Sequence, residues 1–330
     1  MKVLNIASLT ALLCLSACSR QKEAAAAEPQ TTESQPAQSG HIEIKVSDKP
    51  GIGPDLGFNE LRAMRYVKEM VAFGPRPLGS ENHNKVENYI LDHLRHDTVE
   101  NDVFTIDTSE GKFPVHNIIA KFPGKKDGII VIASHYDTNY PLRNTAYVGA
   151  NDGGSSSAVL LELANVLRES GHQADGYSVW LLWDDAEEAI TLPWTDDNSV
   201  YGVRHLADKW QADGTLKKIK AFLLLDMVGD ADLNIEHEEN STPWLEDVIY
   251  QAATRLGYQS HFFGRSLEIE DDHKPFVKRG VPSADLIDFN YGYANVFWHT
   301  PQDTLDKLSD KSLLTVGQVT LETIRMLDTR

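Results

Sequence analysis

The chain has 330 residues, 41% hydrophobic and 24% charged, which is enough to bury an ordinary core and too apolar for global disorder. Its 31 basic against 49 acidic residues give a formal net charge of -18, which excludes a nucleic-acid binder working through a basic surface. Both cysteines, Cys14 and Cys18, fall in the first 18 residues, so the rest of the chain carries no disulfide framework.

In chain order, Lys2, an apolar run and small residues before Cys18 form a signal-peptide pattern over residues 1–17, too short to span a bilayer stably. Leu15-Ser16-Ala17-Cys18 also reads as a bacterial lipobox, which predicts cleavage before Cys18 and lipid attachment to it. The expectation is an exported lipoprotein facing the periplasm or exterior, touching the membrane only through its N-terminal lipid. Ser19, standing where an Asp signals inner-membrane retention, points to the outer membrane. Residues 18–45, rich in Ala, Gln, Glu, Ser and Thr, read as a disordered tether. Residues 46–330 are left as a single folded domain.

Apolar residues at helical spacing predict a helix over 59–71, and Ser80 is placed to cap a second helix running to Leu94. Two strand-like runs follow at 99–106 and 115–122, then a buried strand at 129–134. Helix 155–169, strand 177–183, helix 199–210, strand 221–226, helix 242–256, a short strand at 283–287 and helix 311–327 complete the alternation. Such alternation predicts an α/β fold with a mostly parallel central sheet and helices on both faces. Ligands of such folds bind beyond the carboxyl ends of the strands.

Residues with chemistry cluster at those ends. His135-Tyr136-Asp137 follows the 129–134 strand, and a carboxylate two residues on can orient a metal-bound imidazole. Asp152 sits between Gly149, Gly153 and Gly154, where backbone can approach a bound group closely. Phosphate binding is disfavoured there: no Lys follows as in a Walker motif, and a carboxylate repels phosphate unless a metal intervenes. Asp184-Asp185-Ala186-Glu187-Glu188 comes directly off a buried strand, and adjacent glutamates can divide metal binding from proton transfer. Asp226 repeats the strand-then-carboxylate arrangement, and His299 lies in a loop before the last helix.

The ordered set Ser134-His135-Tyr136-Asp137, Gly149-Ala150-Asn151-Asp152, Asp184-Asp185-Ala186-Glu187-Glu188, Asp226, Asp271-Asp272-His273 and Trp298-His299-Thr300 resembles the zinc-dependent exopeptidase superfamily of aminopeptidase-like proteins. Within it, the stretches 187–207, 271–282 and 298–304 are most similar to the animal-type glutaminyl-peptide cyclotransferases and their bacterial relatives. That resemblance implies one zinc held by Asp152, Glu188 and His299. It implies Glu187 as proton shuttle with Asp226 and Asp271 as its carboxylate partners, and Trp194 and Trp298 as indoles lining the substrate pocket. The implied reaction converts the N-terminal glutamine of a peptide or protein to pyroglutamate with release of ammonia.

The two-zinc aminopeptidases offer the alternative. There Asp152 bridges two ions, His135 and Asp226 become candidates for the second site, and N-terminal residues are hydrolysed. Residues 287–293 and 229–233 depart from the animal cyclotransferases, and the disulfide near the animal site has no counterpart. A catalytically silent protein on the same fold is disfavoured by the intact Asp152, Glu187, Glu188 and His299.

Overall fold

A computed structural model describes residues 55–170 and 175–330; the expected leader, the expected lipidation position Cys18 and the expected tether lie outside the described residues. Two helices come first. Asn59 caps α1 (Glu60–Val71) by accepting from the Arg62 N–H, and Ser80 caps α2 (Glu81–His93) by accepting from His83. A long antiparallel hairpin, β1 (Thr98–Thr108) and β2 (Gly111–Phe122), leads to the central strand β3 (Lys126–His135). Then follow α3 (Gly154–Ser170), β4 (Tyr177–Asp184), α4 (Tyr201–Asp213), β5 (Ile219–Asp226) and β6 (Ile235–Glu238). The chain continues through α5 (Pro243–Leu256), β7 (Phe262–Leu267), the short α6 (Lys274–Val277), β8 (Ser283–Ile287) and α7 (Asp310–Leu327).

The main sheet has the order β1-β2-β4-β3-β5-β8. Strands β4, β3, β5 and β8 are mutually parallel, while β2 joins β4 antiparallel, so the sheet is mixed, with a parallel core and an antiparallel hairpin at one edge. Strand alternation buries both faces. Ile130, Ile132, Leu223 and Leu225 pack beneath α1, α2, α3, α5 and α7. Ile129, Val131, Ala133, Phe222 and Leu224 pack against Val203, Leu206 and Trp210 of α4 and Phe276 of α6. Each large side chain so removed from water contributes about 1.5–3 kcal/mol.

The second sheet, β6 and β7, is absent from the sequence expectation. Ile-Glu-His-Glu carries no apolar run, and Gly264 interrupts β7. The parallel register has the consequence that matters for the site. His135 pairs with Asp184, and Asp226 pairs with Ile287, so the carboxyl ends of all four parallel strands open on one edge.

Candidate active site

Three loops bring the site residues to that edge. The turn between β3 and α3 needs left-handed backbone at Gly149 (φ 51°) and Gly153 (φ 70°). A Cβ on Gly153 would lie 2.8 Å from the His135 ring, so glycine here lets the turn close over the imidazole and place Asp152 beside it. Asp303 fixes the turn from outside: its carboxylate accepts the N–H of Asn151 at 2.8 Å and of Asp152 at 3.2 Å.

The loop after β4 is pinned by Asp185. Its carboxylate meets Nε2 of buried His83 at 2.7 Å, and accepts the N–H of His116 at 2.8 Å and of Ala186 at 2.8 Å. Ala186 is forced to φ 57°. The turned backbone then donates the N–H groups of Glu187 and Glu188 to Asp137, both at 3.3 Å. Asp137 stands 3.5 Å from Nδ1 of His135, without a hydrogen bond, so its firmer partners are these two backbone groups.

The two glutamates diverge. Glu188 joins Asp152 and His299, each offering one donor atom, all within 4.8 Å of one another. Nε2 of His299 lies 3.3 Å from Glu188 and 3.4 Å from Asp152. His135, Asp152 and Asp226 form a second such group around the other carboxylate oxygen of Asp152, with Nε2 of His135 at 3.2 Å from Asp152 and 3.3 Å from Asp226. Glu187 instead faces the cavity with Asp226 and Asp271. That cavity, of about 210 Å³, is walled by Trp194, Ile269, Ile287, Phe289 and Trp298, and has Asp152, Glu188 and His299 among its lining residues. Trp298 stacks on the His299 ring and meets Phe289 edge-on. Among the described residues, the metal-ligand, proton-shuttle and pocket candidates from the sequence thus converge, Trp194 included.

Charge is unevenly settled here. Burial pushes Glu187 well above the ordinary carboxylate range; the attraction of His135 opposes this, while the negative charges of Glu188 and Asp271 add to the rise. Burial and the charge of Asp226 do the same to Asp271. Burial also works against ionised Asp152, yet hydrogen bonds from His135 and His299 hold it well below its usual value. His299 is pulled up to about 10, despite burial, by Glu188 and Asp152. Asp152 is thus held toward its ionised form, while Glu187 and Asp271 are shifted toward the neutral carboxyl.

A zinc ion fits the group of Asp152, Glu188 and His299. Two carboxylates and an imidazole form a three-ligand set of the kind that leaves a fourth position open for substrate. Oε1 of Glu188 is a buried acceptor with no hydrogen-bond partner, while Oε2 accepts from Asn139 at 2.7 Å. Asn139 and Tyr147, whose hydroxyl donates to Asp152 at 2.6 Å, orient the ligands and carry no sequence signal of their own. Asp303 falls inside the 298–304 stretch, but its role is visible only in the fold.

The pattern of peptidase family M28 matches residues 117–324. The chain is 34% identical to a glutaminyl-peptide cyclotransferase of Drosophila melanogaster over 256 residues, covering 69% of this chain and 70% of that one. Its structure superposes on an Acidobacteriales bacterium glutaminyl cyclase with a TM-score of 0.81 and 48% identity, covering 86% of this chain and 100% of the other. Against the Porphyromonas gingivalis glutaminyl cyclase the TM-score is 0.74 at 29% identity, with coverage of 83% and 99%. The chain belongs to peptidase family M28, in the line of the glutaminyl-peptide cyclotransferases.

Proposed function

We propose that the chain is a zinc-dependent glutaminyl-peptide cyclotransferase acting on the N-termini of peptides or proteins, with a single zinc held by Asp152, Glu188 and His299. The observation that carries this reading is Glu187: a largely buried carboxyl with a raised pKa, on the wall of an indole-lined cavity beside the three-ligand cluster. The cyclases to which the chain is similar support it.

In this reading the N-terminal glutamine enters side chain first, between Trp194 and Trp298. The chemistry a bound zinc supplies is polarisation of the side-chain carbonyl oxygen. The substrate's amine nitrogen attacks the side-chain carbonyl carbon, and Glu187 accepts the proton that the amine gives up. Glu187 then returns that proton to the amide nitrogen as the carbon–nitrogen bond breaks and ammonia leaves. One carboxyl serves as base and then acid only if its pKa approaches neutrality, and burial beside Glu188 and Asp271 moves it that way. The attack is intramolecular and uses no water, so an apolar enclosure favours it.

A second reading, a two-zinc aminopeptidase, draws on the cluster of His135, Asp152 and Asp226. Metal analysis together with product analysis separates the two. One zinc per chain, with ammonia and a pyroglutamyl product from a glutaminyl peptide, is the expected outcome. Two zinc ions with release of free N-terminal residues would overturn it. We further propose, from residues outside the described ones, that the enzyme is exported and anchored through lipidated Cys18. Labelling of the chain with a radioactive fatty acid, lost in C18S, tests the anchor.

A further inference from the structure

Arg76 lies in Gly74-Pro75-Arg76-Pro77, between α1 and α2, and takes no part in the chemistry above. It is only 1% exposed. Its guanidinium donates from Nε to the carbonyl of Tyr136 at 2.7 Å, from Nη1 to the carbonyl of Val148, and from Nη2 to the carbonyls of Gly149 at 2.9 Å and Asp152 at 3.1 Å. Its backbone is tied to the same region. The Arg76 N–H donates to the Thr138 hydroxyl at 3.0 Å, and the Thr138 N–H donates back to the Arg76 carbonyl at 3.3 Å. Among the described residues no carboxylate forms an ion pair with it.

Burying a cation is costly, and Arg76 has only carbonyl dipoles as hydrogen-bond partners. What it joins explains the arrangement. One carbonyl belongs to the residue following β3, between His135 and Asp137. The other three belong to the turn that ends in Asp152. That turn has no ladder of its own to hold it, and three carbonyls aimed at one point repel unless a donor lies between them. Glycine is needed for the convergence: a Cβ on Gly149 would meet the Asp152 carbonyl at 2.6 Å and Nη2 of Arg76 at 3.3 Å. The planar fork can serve carbonyls from both segments at once, which an ammonium cannot.

We propose that Arg76 is a positioning residue for the metal site: it locks the turn carrying Asp152 onto the end of β3 before zinc arrives, and so sets the affinity for zinc. This rests on the reading of Asp152, Glu188 and His299 as zinc ligands. Outer partners of metal ligands typically account for about 10–100-fold in metal affinity, and a clamp on the backbone of a ligand belongs in that range.

The test is zinc affinity of the full chain, measured by competition with a chromophoric chelator, in wild type and R76K. The expected result is a folded variant whose zinc dissociation constant rises about 10–100-fold, with activity recovering as zinc is added. A purely structural role would lower the melting temperature and leave zinc affinity of the folded protein unchanged. That result overturns the inference. Failure of the wild-type chain to bind zinc overturns the reading of the site, and the inference with it.

If R76K does not fold, proton exchange at the Arg76 guanidinium in zinc-free wild type decides. Slow exchange supports a clamp set in advance. Exchange that slows only after zinc is added overturns it.

Discussion

Glu187 and Glu188 are neighbours in sequence, and their separation of roles comes from where each side chain is sent. Ala186 is held at φ 57°, and Asp137 takes both following N–H groups, so Glu188 turns toward Asp152 and His299 while Glu187 turns to the cavity. Glu187→Gln removes the proton carrier and leaves the ligand set. Turnover should fall about 10²- to 10⁴-fold, with zinc content unchanged by elemental analysis. Loss of zinc instead would mean that the two roles are exchanged. Trp298 contributes contact area and holds the His299 ring by stacking. Trp298→Ala should lower kcat/KM about 10- to 200-fold, mostly through KM, in steady-state assays with a glutaminyl peptide. An unchanged KM would remove Trp298 from the pocket wall.

At the scale of elements, the site depends on how tightly α4 seats against the loop after β4. The N–H groups of Val200 and Tyr201 donate to the carbonyls of Glu187 and Ala186, so the start of the helix is capped by the loop after β4 itself. Gly202 makes the approach possible: a Cβ there would meet the Asp185 carbonyl at 2.2 Å and the Asn117 side chain at 2.5 Å. Gly202→Ala is expected to cost about 1–3 kcal/mol by overpacking, read as a lower midpoint in urea unfolding. Because the displaced carbonyl adjoins Ala186, activity should fall by more than the unfolded fraction accounts for. Loss of stability with full specific activity would show that the loop and the helix are independent.

For the whole molecule, acid stability carries a signature of the buried pair His273 and Glu238, which lie 2.9 Å apart. Burial works against the ionised carboxylate, but the hydrogen bond and charge of His273, with Asn240, hold Glu238 down to about 2, from an ordinary 4.5. A carboxyl whose folded pKa is depressed stabilises the fold above its unfolded pKa, and that contribution is lost as pH falls through the folded value. Glu238→Gln should therefore melt below wild type at pH 7, and the gap in Tm should close between about pH 4.5 and 2. A gap constant with pH would place the contribution in packing alone.

Much of this architecture is legible in the chain. Continuous apolar runs in residues 129–134 and 221–226, the cap at Ser80, and carboxylates immediately after apolar runs are local features, and local features survive into the fold. Strands β6 and β7 escape because their pairing, not their composition, makes them strands. The linear order of His135, Asp152, Glu187, Glu188, Asp226, Asp271 and His299 already implies a metal-dependent enzyme. Tertiary structure alone decides which of them gather in the candidate ligand groups and which face the cavity. That choice is made by Asp137, Asn139, Tyr147 and Asp303, and by Arg76 at the turn of Asp152, through hydrogen bonds between segments far apart in sequence. Such bonds leave no period or spacing in the chain, because each depends on the parallel register that brings the strand ends to a single edge.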